Sequence, residues 1–529
     1  MPTAPSVAEL LDGHVSLDVE CFDRLYVNAY VPTLQTSGGT AYFLRDHRGH
    51  PIPSPALFRP IGDAFRNAIT TFATDNDIPV IRFQARERKL DTVRPLLEQA
   101  TEPGVVCHGM AQETQRVTMG ADCRRDPESG IPHYSFKKVD RRVTVFYSYI
   151  FDDDWGPCFI KLCADFPYPG KLWCNCHEWV KRQLDKQDIA YDALANGFAG
   201  VEDEGALRRL CNRVSPRKVQ ALFERWVKVI PLPLTEVDRA AGYDWELSMN
   251  QVEFSRTLVL DRPSRARAFF EHVIQDNLDL GRPEQVELIF DRRVQANTPG
   301  HFYTRVVTTG VEPRISIGYK QSRVKEYLKE GRAIRIETVI NSPTDIGVKR
   351  RIRHLGRLGA VCRQVNRRIL DVQRVASAPS MTRSEFQRVT LPDGSAGQRT
   401  VALRYGDPRA MALMAALTLC LHHVSGFTNK SLRPLVATLL GKPYRPSQMS
   451  YDLWRLKGKG LIQRLPHTHT YVLTAAGTRV AMFYSKSFAR VIDPLFAAAA
   501  PDVPARASPE LRAALRVIDQ TIDTYTSGG

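Results

Sequence analysis

SYDLWRLKGKGLIQRLPHTHTYVLTAAGTRVA, Ser450–Ala481, is the stretch on which the fold reading turns. It opens on helical spacing. Met449, Leu453 and Leu456 repeat along one face, while Gln448, Tyr451, Asp452 and Arg455 fall largely on the other. Glycines at 458 and 460 end that helix. Two short apolar runs follow, Leu461–Leu465 and Tyr471–Leu473, around the polar tip Pro466-His467-Thr468-His469-Thr470, and they predict a hairpin. Thr474 is placed to cap a last helix carrying Val480, Phe483 and Phe488. Upstream, Pro408–Val424 and Thr428–Leu440 predict two more helices, with Gly426 and the Gly441–Pro446 turn between elements. The order from 407 to 496 is therefore helix, helix, helix, hairpin, helix.

That order and the quoted stretch resemble the winged-helix domains of bacterial regulators. The resemblance implies a third helix that enters the major groove and a wing that touches the DNA backbone or minor groove. Carried onto this sequence, it makes Arg445, Gln448, Tyr451 and Arg455 the helix-face candidates, and Arg464 and His467 the wing candidates. A winged helix that binds protein instead is the competing interpretation.

Outside this domain, 375–406 is a polar linker rich in Ser, Thr, Gly and Arg. Residues 497–529 hold a second linker and a terminal helix from Pro509 to Tyr525. Residues 349–374, KRRIRHLGRLGAVCRQVNRRILDVQR, predict a long basic helix. Nine of its residues are Lys or Arg, so its polar face offers Arg350, Arg353 and Arg357 to a phosphate backbone. Residues 121–374 form a central α+β domain. It contains a hairpin (Val143–Phe151 with Cys158–Phe166, joined at Asp152-Asp153-Asp154-Trp155-Gly156) and a helix capped by Ser215-Pro216. A β-meander spans 286–341, with strands Val286–Phe290, Phe302–Thr308, Ile315–Tyr319 and Ile334–Ile340 and a short helix at Arg323–Glu330. Residues 1–120 alternate strand and helix signals, including strands at Arg24–Val31 and Thr40–Leu44, and predict an N-terminal α/β domain. The whole is an α+β multidomain chain: N-terminal α/β, central mixed β-meander with helices, C-terminal winged helix.

Bulk composition agrees with this division. A chain of 529 residues exceeds one hydrophobic core, and 43% apolar with 25% charged residues marks it as mostly globular. Lys and Arg outnumber Asp and Glu by 73 to 57, a formal +16 that suits a phosphate-bearing partner. The longest apolar run, Ala410–Leu421, is too short to span a bilayer, and Met1–Leu17 has no leader pattern, so a cytoplasmic protein with no membrane partner is expected. Ten cysteines in such a chain are expected as reduced thiols.

For chemistry, the strand IRIETVIN, Ile334–Asn341, alternates Ile334, Ile336, Thr338 and Ile340 against Arg335, Glu337, Val339 and Asn341. With the preceding YKQSRVKEYLKEGRA it faintly resembles a Tyr-Lys…Arg-x-Glu stretch of plasmid and phage replication initiators. The His-hydrophobe-His metal motif of those enzymes is missing, because His467-Thr468-His469 has a polar centre and lies in the wing. Glu337 and Lys320 remain catalytic candidates. So do Asp152 and Asp154, since a nuclease needs converging carboxylates around Mg²⁺ or Mn²⁺. A cross-strand ion pair for Glu337 and a turn role for the aspartates are the structural alternatives. Cys174-Asn175-Cys176-His177 holds metal-capable groups, but its spacing is not that of a structural zinc site. Walker, G-x-G-x-x-G and G-x-S-x-G patterns are missing, which disfavours a nucleotide-driven motor or a serine hydrolase. Other segments (RLYVNAYVPTLQ, PIPSPALF, WGPCFIKLCADFPYP, HEWVKRQ, IRIETVINSP) resemble a bacterial protein family that brings no activity with it.

The expectation is a nucleic-acid-binding protein, DNA before RNA, connected with a mobile element, plasmid or phage. The alternatives are a Mg²⁺- or Mn²⁺-dependent nuclease or replication-initiator-like enzyme, and a protein-interaction scaffold.

Overall fold

The structure, a computed structural model, describes residues 7–276, 303–309, 312–376, 381–392, 401–418, 427–465, 468–488 and 517. The chain forms two compact units, one of Gly13–Phe270 with Pro299–Asn366 and one of Met1–Asp12, Glu271–Thr298 and Arg367–Gly529. The fold class is α+β.

The first unit is built on one mixed sheet of eleven strands, ordered β10-β11-β12-β13-β9-β1-β6-β5-β4-β3-β2. In chain order these are β1 (Val15–Tyr30), β2 (Val80–Arg82), β3 (Gly104–Arg125), β4 (Pro132–Asp152), β5 (Gly156–Cys163) and β6 (Gly170–Asn175). They continue with β9 (Glu246–Leu260), β10 (Tyr303–Thr309), β11 (Glu312–Tyr319), β12 (Ser322–Lys329) and β13 (Ala333–Ile340). A separate small hairpin pairs β7 (Tyr191–Leu194) with β8 (Gly197–Val201). Every sheet pairing is antiparallel except β2 with β3. The boundary expected at residue 120 falls inside β3, and the sheet runs through the two domains expected at 1–120 and 121–374.

Helices pack onto this sheet: α2 (Ser37–Tyr42), α3 (Phe58–Asp75), α4 (Lys89–Gln99), α5 (Cys176–Asp185), α6 (Glu204–Arg213) and α7 (Pro216–Trp226). The short α8 (Glu236–Ala240) is tied through Asp238 to His47 and Arg48. α9 (Pro263–Asp276) and α10 (Leu355–Ala376) begin in this unit and end in residues assigned to the second, to which α1 (Val7–Leu11) also belongs. α7 begins as its sequence demands, with the Ser215 side chain accepting from Lys218 N–H and Pro216 in the first turn. Its Val219, Leu222, Phe223 and Trp226 join Leu25, Val27, Ile160, Leu172 and Phe254 of the sheet in one apolar core. α10 adds Leu355, Leu358 and Cys362 to that core.

Two segments change type. Thr40–Leu44, expected as a strand, is helical, because Thr36 caps α2 by accepting from Gly39 N–H. Arg323–Glu330, expected as a helix, is β12. Its Lys, Glu and Leu favour helix, but ladders to β11 on one side and β13 on the other satisfy its backbone in extended form. The long basic helix starts only at Leu355, after the 3₁₀ turn Ile352–His354.

The second unit contains α11 (Arg383–Thr390), α12 (Pro408–Thr418), α13 (Asn429–Leu440), α14 (Pro446–Gly458), the hairpin β14 (Ile462–Arg464) with β15 (Tyr471–Leu473), and α15 (Ala475–Ser487). α11 lies within the stretch expected as a linker. Thr382 and Glu385 close a capping box at its start, and Val389 is buried with Leu413, Leu417, Leu432, Leu453 and Leu456. Thr428 caps α13, Thr474 caps α15, and Gly441 ends α13 at a φ of 64° that only glycine adopts without strain. Val286–Phe290, His467 and, apart from Val517, the helix expected at Pro509–Tyr525 lie outside the described residues. No helix among the described residues is long and apolar enough to cross a membrane.

Candidate functional site

Within the second unit, α14 presents two unlike sides. Met449, Leu453 and Leu456 are buried in the core. Tyr451 and Trp454, one helical turn apart, are each 42% exposed, with rings stacked at 6.0 Å between centroids and 27° between planes. Arg445, Ser447, Ser450 and Lys457 are exposed on the same helix or at its start.

Beneath this face is a buried acid. Asp452 is fully enclosed and accepts hydrogen bonds from Arg409 Nε at 3.0 Å, Arg455 Nη1 at 2.9 Å and the Tyr444 hydroxyl. Arg409 and Arg455 each also lie against the Tyr451 ring, at 5.7 and 5.6 Å from its centroid. Asp452 thereby orders two guanidinium groups, which in turn brace Tyr451.

The five described candidates in this unit separate accordingly, His467 lying outside the described residues. Arg445 and Tyr451 are exposed. The Gln448 side-chain oxygen is committed to the Arg445 backbone N–H at 2.8 Å. Arg455 points inward, bound to Asp452 and to the Ala402 carbonyl, so it is not free to contact a ligand. Arg464 is exposed but braces the hairpin, donating to the Thr468 carbonyl at 2.7 Å. Trp454 was not anticipated. Its signal is the spacing to Tyr451 on the polar side of a helix whose apolar side Leu453 and Leu456 already fill. In the sheet unit, Arg350, Arg353 and Arg357 are all exposed, and Arg350 donates to Ser342 Oγ at 3.1 Å.

The catalytic candidates do not converge. Asp152 ends β4 and Glu337 lies in β13, five strand spacings apart, or about 24 Å. Asp152 is fully buried. Its Oδ1 accepts the backbone N–H groups of Asp154 and Trp155, and its Oδ2 accepts Arg225 Nη1 at 2.9 Å and Trp226 Nε1 at 2.7 Å. This is a turn that pins α7. Asp154 pairs with Lys186 at 2.9 Å and Arg225 at 3.0 Å. Lys320 sits in the β11–β12 turn, whereas the residue opposite Glu337 is Lys325.

Glu337 belongs instead to a buried polar network across β1, β9, β13 and β12. It accepts from Lys325 Nζ at 2.7 Å and the Tyr327 hydroxyl at 3.1 Å. Its carboxylate gathers with those of Asp23 and Glu253, ligand-capable oxygens lying within 4.8 Å of one another. Asp23 is delivered by a bulge: Phe22 pairs with Phe254 and Leu25 with Val252, so Asp23 and Arg24 together oppose Glu253. Asp23 Oδ1 accepts from Arg335 Nη2 at 2.5 Å, Ser255 Oγ at 3.2 Å and His177 Nε2 at 2.5 Å. Burial raises the Asp23 pKa, but Arg335 and His177 outweigh it and hold the carboxyl below its ordinary range. Burial lowers His177, leaving a neutral ring whose Nε2–H donates to Asp23. Glu253 is pushed up by burial and by the neighbouring Glu337. Asp23, His177 and Ser255 are not a nucleophilic triad, because Asp23 and Ser255 both approach the same ring nitrogen.

Cys174 and Cys176 are buried, and burial drives the Cys176 thiol well above its ordinary range, keeping it protonated. Their neighbour His177 is turned to Asp23. No family model, curated protein or solved structure matches the chain.

Proposed function

We propose that this protein binds nucleic acid, DNA before RNA, and that its second unit is a winged helix whose α14 is the contacting element and whose β14–β15 hairpin is the wing. The observation that carries the reading is the exposed, stacked Tyr451–Trp454 pair on α14 beside Arg445 and Lys457. Flat aromatic faces stack on bases and apolar edges meet thymine methyls, while the cations match phosphates. The formal +16 of the chain and the exposed Arg350, Arg353 and Arg357 supply the long-range attraction. The site is targeted in a cytoplasmic setting, as on a plasmid, phage or mobile element. The test is to crosslink and sequence the nucleic acid bound to the protein in its host. Enrichment of one site or structure supports the reading. Recovery of only a stable protein partner, with no nucleic acid at low salt, turns it to a scaffold.

A second reading, a Mg²⁺- or Mn²⁺-dependent nuclease, is favoured by the Asp23–Glu253–Glu337 carboxylate cluster with Lys325 beside it. Against it stands enclosure, since the three acids are 0, 8 and 7% exposed, and Arg335, Arg24 and Lys325 already face them. Labelled single- and double-stranded substrates incubated with either metal decide it. Cleavage lost on Glu337→Gln supports the nuclease, and no cleavage of any substrate, cognate site included, ends it.

A further inference from the structure

After β2 ends at Arg82, the chain wraps through 83–88 before α4 begins at Lys89. The loop is held from within. Phe83 N–H donates to the Met110 carbonyl at 2.9 Å, and the Glu87 carboxylate accepts Gln84 N–H at 2.7 Å and Thr92 Oγ1 at 2.6 Å. Arg86 sits at φ 71°, a left-handed conformation unusual for arginine. Gly109 leaves room for the Phe83 ring, since a Cβ there would lie 2.3 Å from it. That ring is further fixed edge-on against Tyr147 and Tyr149 at 6.2 and 6.3 Å.

The result is a cavity of about 460 Å³ lined by Arg82, Phe83, Arg86, Lys89, Gln112 and Arg142, among others. Its lining carries four cations and one acid, and that acid, Glu87, is committed to the loop. Arg82, Arg86 and Arg142 pair with no acid among the described residues. Lys89 lies 3.1 Å from Glu113, but Glu113 also meets Lys161, so one negative charge serves two lysines. A second cavity, of about 450 Å³ and lined by Arg208, Arg209 and Arg213, shows the contrast: Arg208 pairs with Glu204 and Arg209 with Asp203. Of these two cavities, the first concentrates guanidinium groups that no acid among the described residues matches.

We propose that this cavity binds the phosphate of a nucleotide, with the base against Phe83. Guanidinium forks match phosphate oxygens two by two, and the volume exceeds what inorganic phosphate fills while lying in the range of small-molecule sites. The nucleotide is free or part of a single strand; both present the same chemistry. The site lies in the sheet unit and does not rest on the reading of α14.

The test uses the full chain and its Arg82→Ser/Arg142→Ser variant. Both side chains are exposed and pair with no acid among the described residues, so the thermal unfolding midpoint should be kept. The probes are ATP, adenosine and a short fluorescein-labelled single strand, each also measured in a Tyr451→Ala/Trp454→Ala background. The expected result is binding of ATP, of the strand, or of both, weakened about tenfold or more by the arginine substitutions in either background, with adenosine binding far more weakly than ATP. ATP binding identifies a free nucleotide; binding of the strand alone identifies a nucleic-acid segment. Binding of neither probe, or equal binding by the folded arginine variant, overturns the proposal. Failure of the α14 substitutions to weaken the strand would count against that reading and leave this one standing.

Discussion

Asp23 and Arg335, 312 positions apart in the chain, meet in a fully buried ion pair that spans β1 and β13 across the intervening β9. The contact draws an early strand and a late one into a single polar cluster, and it depends on the bulge that turns Asp23 out of register. Arg335 also donates to the Asn196 carbonyl and to Thr257 Oγ1, so one guanidinium links the sheet to the β7–β8 turn. Leaving either charge without the other would strand an ion in a low-dielectric interior.

Asp23→Ala is therefore expected to lower the unfolding free energy by about 3–5 kcal/mol in urea titration. Pairing Asp23→Leu with Arg335→Met should cost less than the two single changes summed, because each single change leaves an unmatched charge. Strict additivity, or a loss below about 1 kcal/mol for Asp23→Ala, would show that the pair is not enclosed as described.

The two aspartates of the β4–β5 turn should behave differently. Asp152→Ala removes four acceptor contacts from a buried group and should destabilise by about 2–4 kcal/mol. Asp154→Ala removes partly exposed ion pairs and should change stability by less than about 1 kcal/mol. Equal effects in thermal or urea unfolding would contradict the turn role of Asp152.

Burial lowers the His108 pKa from 6.5 to about 4, with Ser148 Oγ 3.1 Å from its Nδ1. The unfolded chain binds this proton more readily, so the contribution is complete above about pH 6.5 and is lost as the pH falls toward 4. The shift corresponds to a loss of up to about 3 kcal/mol. His177, also lowered by burial, acts in the same direction. Unfolding free energies at pH 7 and pH 4.5 should reveal the decline, and His108→Gln should flatten part of it. An unchanged slope in that variant would remove His108 as a source.

Much of the architecture was legible where one signal dominated. Ser215-Pro216 and Thr474 stand where their caps act, and the β4–β5 hairpin follows its Asp-rich turn. β12 was not legible, because its residues prefer helix and only the strands on either side hold it extended. The strand expected at Arg24–Val31 left Asp23 out, because the bulge that delivers Asp23 and its partners, Glu253 and Glu337, come from distant parts of the chain. The α14 face was read in part. Tyr451 and Arg445 are exposed, whereas Arg455 turns inward through an i,i+3 pair with Asp452, a local signal, and through the Ala402 carbonyl 53 positions away, which no local pattern announces.

The contacting role of α14 is decided by titrating the crosslink-identified nucleic acid into the full chain and into its Tyr451→Ala/Trp454→Ala variant across a range of salt. Affinity should fall steadily as salt rises, and the double substitution should weaken binding about tenfold or more at every salt concentration in a variant that still unfolds cooperatively. Binding by the folded double variant equal to that of the native sequence would contradict that role.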